Sequence, residues 1–430
     1  MKISNHVIEI KDFPVENVSL WYSTVTDNAT IVSNDLKSMI EQGKEVNEAK
    51  LQELLKNKFV LPDDYDEDKL ATFVFNTTKY STKNLGITIA PTMKCNFNCV
   101  YCFEDENTKK KDMDIDTADR ILNWLDKTLS INAVKKLEVQ YFGGEPTQNI
   151  DIVKYLAEKI KILADKHKIE LKNYIITNGY FEKELIYTLI NLEINNIQFT
   201  IDGDEKAHNK RKPLCSGKPT FDIVYNNFLE VVKNASKFNE IMLRINIDET
   251  NVNNVLPLLR KIKNEVDVKN VTVDINETSW AHKKPSDYEE IYAWVVELTE
   301  KAIEMGFNYD FHLGHFESCN FSKRNNIAIG PDGRVYKCIL MIEEDAFCAG
   351  PIELYNDSLS MINFVEETVD EDCIKCKYGP MCFGGCRASA YKRMGDKNRK
   401  LCKRTYFDKY IEPHLKMYYG NIISKKLNLK

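Results

Sequence analysis

The chain has 430 residues, of which 43% are apolar and 29% charged, with a formal net charge of −6. That length allows about three domains and more than one sizeable core; the balance excludes wholesale disorder, collagen-like repetition and a surface built to coat nucleic acid or membrane. No apolar run approaches the ~20 residues of a membrane helix and the first six residues are not a secretory signal, so a cytoplasmic location with no membrane or nucleic-acid partner is expected.

Residues 1–84 read as short strands at 6–11, 18–25 and 29–33, helical segments at 34–42 and 47–57, and an extended stretch at 59–62. This is a small cysteine-free α+β unit, and 62–69, charged and opened by Pro62, reads as an exposed loop. From Leu85 the pattern changes to repeated βα units. Six strands are predicted, at 85–90, 137–142, 173–177, 197–201, 241–247 and 270–275. Between them lie amphipathic stretches at 116–129, 152–167, 183–192, 220–235, 254–266 and 286–305, whose 3.6-residue apolar period fits helices on a sheet. Asp116 and Ser286 stand where N-caps belong.

Six such units make an α/β fold, a partial (β/α)6 TIM-like barrel open on one side, with functional residues at the C-terminal strand ends. Beyond Met305 the periodicity weakens and turn signals accumulate at 330–334 (GPDGR) and 378–380 (YGP), as in a region organised by metal ligands more than by a large core. The basic run Lys392, Arg393, Lys397, Arg399, Lys400, Lys403 and Arg404 reads as a solvated face, with a phosphate or an acidic peptide as the alternative contact.

Twelve cysteines in a chain of this kind point to metal or redox chemistry more than to disulfides. Cys95, Cys99 and Cys102 form a C-x3-C-x2-C loop directly after the first barrel strand. Three thiolates on a 4Fe-4S cube leave one iron open to a small molecule, whereas a structural zinc site wants a fourth ligand that no nearby Cys or His supplies. This loop, with Tyr101 before its last cysteine, resembles that of the radical S-adenosylmethionine (SAM) superfamily.

Later strand ends extend the resemblance. Gly143-Gly144-Glu145-Pro146 follows the second strand; its glycines let backbone approach a ligand, and Glu145 can accept from an ammonium group. The resemblance implies that this motif binds the methionine amino group of SAM, and that Asn178, Thr200, Asp202 and Arg244 line its ribose and carboxylate. Singly, Asn178 and Asp202 also read as turn residues and Arg244 as a surface charge. His208 and Arg211 resemble a family segment after strand four, but read foremost as a solvated loop. Cys215 reads as a lone thiol.

Cys319, Cys338, Cys373, Cys376, Cys382, Cys386 and Cys402 fall in an order and spacing that resemble the SPASM domain appended to many radical SAM enzymes. The short CxxC alone would also suit a zinc ribbon. The resemblance implies two auxiliary 4Fe-4S clusters, three clusters in all, with Cys373, Cys376, Cys382 and Cys402 on one and Cys319, Cys338 and Cys386 on the other. Cys348, in a stretch whose small residues allow a tight turn, is the candidate fourth ligand of the latter; a buried thiol or an open iron is the alternative.

The implied division is a possible winged-helix-like leader-recognition domain at 1–84, the radical SAM partial barrel at 85–310, the Fe-S-binding SPASM domain at 311–410 and a tail helix at 411–430. The implied reaction is reductive cleavage of SAM to a 5'-deoxyadenosyl radical that takes a hydrogen atom from substrate. Residues beyond the cluster loop that act in catalysis are not assigned by the sequence. The expected function is a peptide maturase installing a thioether or other side-chain crosslink in a ribosomally made precursor. Its partners would be that precursor with its leader and a reductant such as flavodoxin or ferredoxin. The alternative is an anaerobic sulfatase-maturing enzyme, weakened by residues 1–84 and by Ile339, since an Asp follows the cysteine equivalent to Cys338 in that relative. From another class, a non-catalytic Fe-S electron-transfer module would form no 5'-deoxyadenosine.

Overall fold

The structure, a computed structural model, describes residues 1–102, 104, 111–278, 288–310, 321–357, 359–365 and 369–427. Cys319 and Ser286 lie outside the described residues. The chain divides into two compact units, one formed by 1–80 with 311–323 and 366–430, the other by 81–310 with 324–365.

The first unit opens with β1 (Lys2–Ile3), β2 (Val7–Lys11), β3 (Val18–Ser23), β4 (Asn28–Ser33), α1 (Asn34–Glu41), α2 (Glu48–Lys56), β5 (Val60–Leu61) and α3 (Glu67–Tyr80). Strands β2-β3-β4 form an antiparallel sheet, and β1 pairs with β5. The sheet has two buried faces. Trp21 and Val32 pack with Leu54 and Phe59, whereas Ile8, Ile10, Leu20 and Tyr22 pack on residues near the C-terminus. Helix α3 is missing from the sequence reading, which ended the unit in a charged loop. That loop stops at Glu67, whose buried carboxylate accepts from the Ser4 hydroxyl and the Asn5 N–H, each at 2.8 Å.

The second unit carries β6 (Asn84–Thr92), α4 (Ile115–Ile131), β7 (Lys136–Gly143), α5 (Ile150–His167), β8 (Glu170–Thr177), α6 (Glu184–Asn191), β9 (Asn196–Thr200), α7 (Glu205–Arg211) and α8 (Phe221–Lys233). It continues with β10 (Glu240–Ile247), α9 (Val252–Glu265), β11 (Val271–Glu277) and α10 (Tyr288–Glu304). The six strands β6 to β11 are parallel and adjacent in chain order, the partial barrel expected. Alternation decides the two faces. Ile87, Ile89, Val139, Ile175, Phe199, Leu243 and Val273 are buried on the helix-bearing face; Gln140, Gln198, Arg244 and Asp274 stand half-buried on the other. The N-cap of α4 is Asp114, whose side chain accepts from Thr117 N, and not Asp116, which lies inside the first turn.

The sheet is wider than six strands. β12 (Asn326–Ile329) adds parallel to β6, and β13 (Arg334–Tyr336) and β14 (Cys348–Pro351) follow antiparallel. The GPDGR turn joins β12 to β13, with Gly330 N donating to Arg334 O at 2.9 Å and Gly333 at φ +77°. Ile329, Val335, Phe347, Ala349 and Ile352 are buried, so this stretch has an apolar core of its own. α11 (Leu359–Val365) closes the unit.

The chain then returns to the first unit with α12 (Glu371–Ile374), α13 (Gly379–Cys382), α14 (Arg387–Met394) and α15 (Arg404–Leu427). Tyr378, Met381, Phe407, Ile411 and Leu415 pack against Ile8, Ile10, Leu20 and Tyr22. Thr24 Oγ1 donates to Lys377 O at 2.7 Å, and the rings of Phe75 and Phe383 lie 4.8 Å apart.

Candidate active site and cysteine clusters

The loop carrying Cys95, Cys99 and Cys102 leaves the C-terminal end of β6 and is held on both flanks. On one side it zips onto 211–215: Asn98 N donates to Pro213 O at 2.9 Å, Val100 N to Arg211 O at 3.0 Å and Cys215 N to Asn96 O at 2.9 Å. On the other it meets the GGEP turn after β7, where Gly144 N donates to Thr92 O at 3.1 Å and Glu145 N to Lys94 O at 2.9 Å. A Cβ on Gly143 would sit 2.2 Å from Thr92 O and one on Gly144 2.3 Å from Lys94 O. Both glycines therefore serve the close approach of the cysteine loop itself.

Glu145 is buried, and its Oε1 accepts from Thr147 N (3.1 Å), Thr147 Oγ1 (2.7 Å) and Thr177 Oγ1 (2.8 Å), its Oε2 from Asn178 N (2.7 Å). Burial pushes its pKa up against these four donors. The carboxylate ties the end of β7 to the end of β8. Asn178 passes the constraint on: its Nδ2 donates to Asn96 Oδ1 at 2.7 Å and lies 3.8 Å from Cys95 Sγ.

Tyr101 points into a buried polar knot. Its hydroxyl bonds Asp202 Oδ2 and accepts from Asn246 Nδ2 at 3.2 Å; the Arg211 guanidinium lies 4.9 Å from its ring centroid. Asp202, fully buried beyond β9, also accepts from Asn246 N at 3.0 Å. Arg211 bonds Asp248 Oδ2 at 2.7 Å and has Nε 3.7 Å from Asp202. Buried Lys212 places Nζ 3.5 Å from Cys99 Sγ. Burial opposes its charge, but Cys99, Tyr101 and Asp202 outweigh it and hold its pKa above the ordinary lysine value.

His208 and Arg211 are therefore not in a solvated loop; both are buried, 0% and 3% exposed. His208 Nδ1 accepts from Asp202 N at 3.3 Å, and burial with the nearby cations lowers its pKa to about 3, so the ring is neutral. Thr200, buried, stands opposite Arg244 in the β9–β10 register. Arg244 faces Asp274 across β10–β11 and bonds it at 2.6 Å, its Nε donating to Asn246 Oδ1 at 2.9 Å. The sequence reading missed Asn246, Asp274, Lys212 and Asn96; alternate polar residues in otherwise apolar strands were the available signal for the first two.

Within the first unit, Cys373, Cys376, Cys382 and Cys402 gather. Cys373 feels the charge of Cys376 and Cys382, and Cys382 that of Cys376 and Cys402. Burial, then Asp370 and Cys382, push the Cys373 thiol up to about 11. Phe383, Gly384 and Gly385 take φ of +45°, +90° and +86° in succession, and a Cβ on Gly385 would meet Leu401 O at 2.1 Å, so the turn after Cys382 and the segment bearing Cys402 are pressed together. Cys386 caps α14, its thiol accepting from Ser389 N at 3.4 Å.

In the second unit Cys348 opens β14 opposite Tyr336 of β13. Lys337 N donates to Phe347 O at 3.0 Å and Cys338 keeps extended backbone (φ −151°, ψ 132°), so the 338 and 348 side chains stand on one face as diagonal neighbours. Strand pairing, not a tight turn, sets this register.

None of the eleven described cysteines is in a disulfide, and among the described residues no three Cys, His, Asp or Glu side chains gather tightly enough for a single metal ion. The donor set suits a cluster instead. Burial pushes the Cys95 and Cys99 thiols up, and Cys102 to about 11, so the three stand as neutral thiols that a bound cation would convert to thiolates. Among the described residues no helix is long and apolar enough to cross a membrane.

Residues 89–243 match the Radical SAM superfamily. The barrel is a radical SAM domain, and the chain is a radical SAM enzyme, a class that works with a 4Fe-4S cluster and SAM. The chain is 22% identical over 353 residues to the radical SAM cyclopropyl synthase TigE of Paramaledivibacter caminithermalis, covering 72% of this chain and 69% of that one. It is 25% identical over 340 residues to a cysteine-type anaerobic sulfatase-maturating enzyme of Clostridium perfringens, covering 70% and 89%. Among solved structures, native anSMEcpe with bound AdoMet and the Kp18Cys peptide matches at TM-score 0.61 and 20% identity, over 80% of this chain and all of that one. Streptococcus suis SuiB bound to precursor peptide SuiA matches at TM-score 0.54 and 14% identity, over 93% and 98%.

Proposed function

We propose that this enzyme is a peptide maturase that takes a hydrogen atom from a ribosomally made precursor and installs a thioether or other side-chain crosslink. The observation that carries the radical chemistry is the interlock of the Cys95–Cys102 loop with the ends of β7, β8 and β9 through Glu145, Asn178 and Tyr101. In this reading Cys95, Cys99 and Cys102 hold the cluster, which with SAM supplies the hydrogen-abstracting radical. Asn178, Thr200, Asp202 and Arg244 line the SAM site, with Asp202 held by Tyr101 and Asn246. The polar open face of the sheet, with the Arg244–Asp274 pair, receives substrate.

Two auxiliary clusters complete the reading. The gathering of Cys373, Cys376, Cys382 and Cys402 supports one, and the shared face of Cys338 and Cys348 supports ligation of the other by both. A peptide substrate is supported by the relatives that act on or bind peptides and by a likeness to the SuiA-bound fold that spans 93% of this chain. The N-terminal sheet β2-β3-β4 has the element order to recognise a leader by strand addition. The sulfatase-maturing alternative has the C. perfringens similarity in its favour and Ile339, a departure from the Asp that the family resemblance implies after Cys338, against it.

The test is incubation of the reconstituted enzyme with SAM, a reductant and a short cysteine-rich precursor, which this reading expects in a neighbouring open reading frame. A crosslinked product has lost two hydrogen atoms and no sulfur, whereas formylglycine from Cys has lost its sulfur. Replacing Cys95, Cys99 and Cys102 with Ala is expected to abolish 5'-deoxyadenosine and lower iron from about twelve to about eight per chain. Retained SAM cleavage in that variant would end the radical SAM assignment of this loop.

A further inference from the structure

Between Arg387 and Arg404 the chain places eight Lys and Arg residues against one acidic residue, Asp396, in a protein whose net charge is −6. This charge is not spread along a random tail. Arg387 Nη1 donates to Asn398 O at 3.1 Å and to Arg399 O at 3.3 Å, and Leu401 N donates to Gly384 O at 2.8 Å, so the loop after α14 is folded back on the Cys382–Cys386 turn. Lys392, Arg393, Arg399, Lys400, Lys403 and Arg404 are exposed, and so is Cys402 among them. Lys400 acts on the Cys373 thiol and Lys403 on Cys382. Among the described residues, carboxylates paired with the patch are Asp370 and Asp372, both with Lys400, and Asp408, shared by Arg404 and Lys377; the eight Lys and Arg outnumber these three and Asp396.

We propose that this basic collar is the docking surface for an acidic one-electron carrier protein. The proposal rests on the reading that Cys373, Cys376, Cys382 and Cys402 hold an Fe-S cluster. A positive field centred on the most exposed thiol of that set steers an anionic partner to the place where its redox centre comes nearest the cluster. Redox encounters use small, charge-guided interfaces that release quickly, and a fringe of exposed lysines and arginines is of that kind. A single-strand nucleic-acid surface would interleave exposed aromatics for base stacking; the one aromatic in the segment, Tyr391, is half-buried.

The test measures binding of a purified acidic flavodoxin to the cluster-loaded, full-length enzyme by calorimetry, for the wild type and for the Lys392→Glu/Arg399→Glu variant. Neither residue touches a cysteine of the set. Affinity is expected to fall about tenfold or more in the variant, and by a similar factor for the wild type between about 0.05 and 0.2 M salt. The variant's visible Fe-S spectrum and its 5'-deoxyadenosine yield with a chemical reductant should match the wild type. A cluster-loaded enzyme whose carrier affinity ignores both substitution and salt overturns the docking surface alone. The docking surface is equally overturned if the variant loses binding of polyglutamate or an oligonucleotide while keeping that of flavodoxin. A wild type that assembles no cluster on these four cysteines removes the reading beneath the proposal.

Discussion

Tyr101 shows how much one side chain beside the cluster loop is asked to do. Its hydroxyl serves buried Asp202 and Asn246, and Phe in its place leaves Asp202 short of a donor, at a cost of about 1–3 kcal/mol. A lowered denaturant midpoint, together with a raised KM for SAM, is the expected result for Tyr101→Phe. Asp248 offers a test by pH. Its burial works toward a higher pKa, but Thr250 and the Arg211 guanidinium outweigh that and bring it to about 2. A depressed carboxylate contributes stability above the unfolded value near ~3.9 and loses it as pH falls toward the folded one. Asp248→Asn should thus flatten the acid limb of stability between about pH 4 and pH 2, and an acid limb as steep as the wild type's would show that Arg211 takes nothing from this partner. The Arg211 partnership is not legible in the polar string His208-Asn209-Lys210-Arg211-Lys212, because burial of such residues depends on counter-charges brought from just beyond β9 and β10.

Elements were largely legible because β6 to β11 and their helices bury one apolar face each, and burial of a face imposes a period on sequence. What escaped was conditional on packing: α3, whose first turn is acidic and reads as loop until Glu67 meets Ser4 and Asn5, and β12, four residues long and made a strand by the free edge of β6. The glycines at element junctions give a sharp test. Gly144→Ala drives a Cβ into Lys94 O, and Gly385→Ala into Leu401 O at a position with φ +86°. Each should destabilise by about 1–3 kcal/mol or more, and each should lower the iron retained by its own unit. Iron analysis with Mössbauer spectra separates them; loss of the same cluster in both variants would contradict the assignment of these turns to different cysteine sets.

At the scale of the whole molecule, the N-terminal strands and the C-terminal cysteine segment share one core. The leader-recognition role proposed for the former therefore belongs to a unit that also holds Cys373 to Cys402, and an element detachable as a module is not what the packing describes. Removing residues 1–80 would expose Tyr378, Met381, Phe407, Ile411 and Leu415. The truncated chain is expected to lose the iron of the C-terminal quartet and to be cut rapidly by protease after residue 366, while the barrel unit keeps its far-UV signal. Intact cluster and protease resistance there would show that the C-terminal segment folds without its N-terminal partner.

The sequence by itself determined the barrel, the order of its strands and the loop on which three thiols stand, since periodic burial and cysteine spacing are local properties of a chain. Tertiary structure alone decided that the GGEP glycines accommodate the cysteine loop, that His208 and Arg211 are buried beside Asp202, and that Cys348 reaches the face of Cys338 through strand pairing. It also decided that residues 1–80 complete the core under Cys376 and Cys382. Each of these depends on which distant backbone or charge arrives at the residue, and that information resides in long-range packing, not in the spacing of letters.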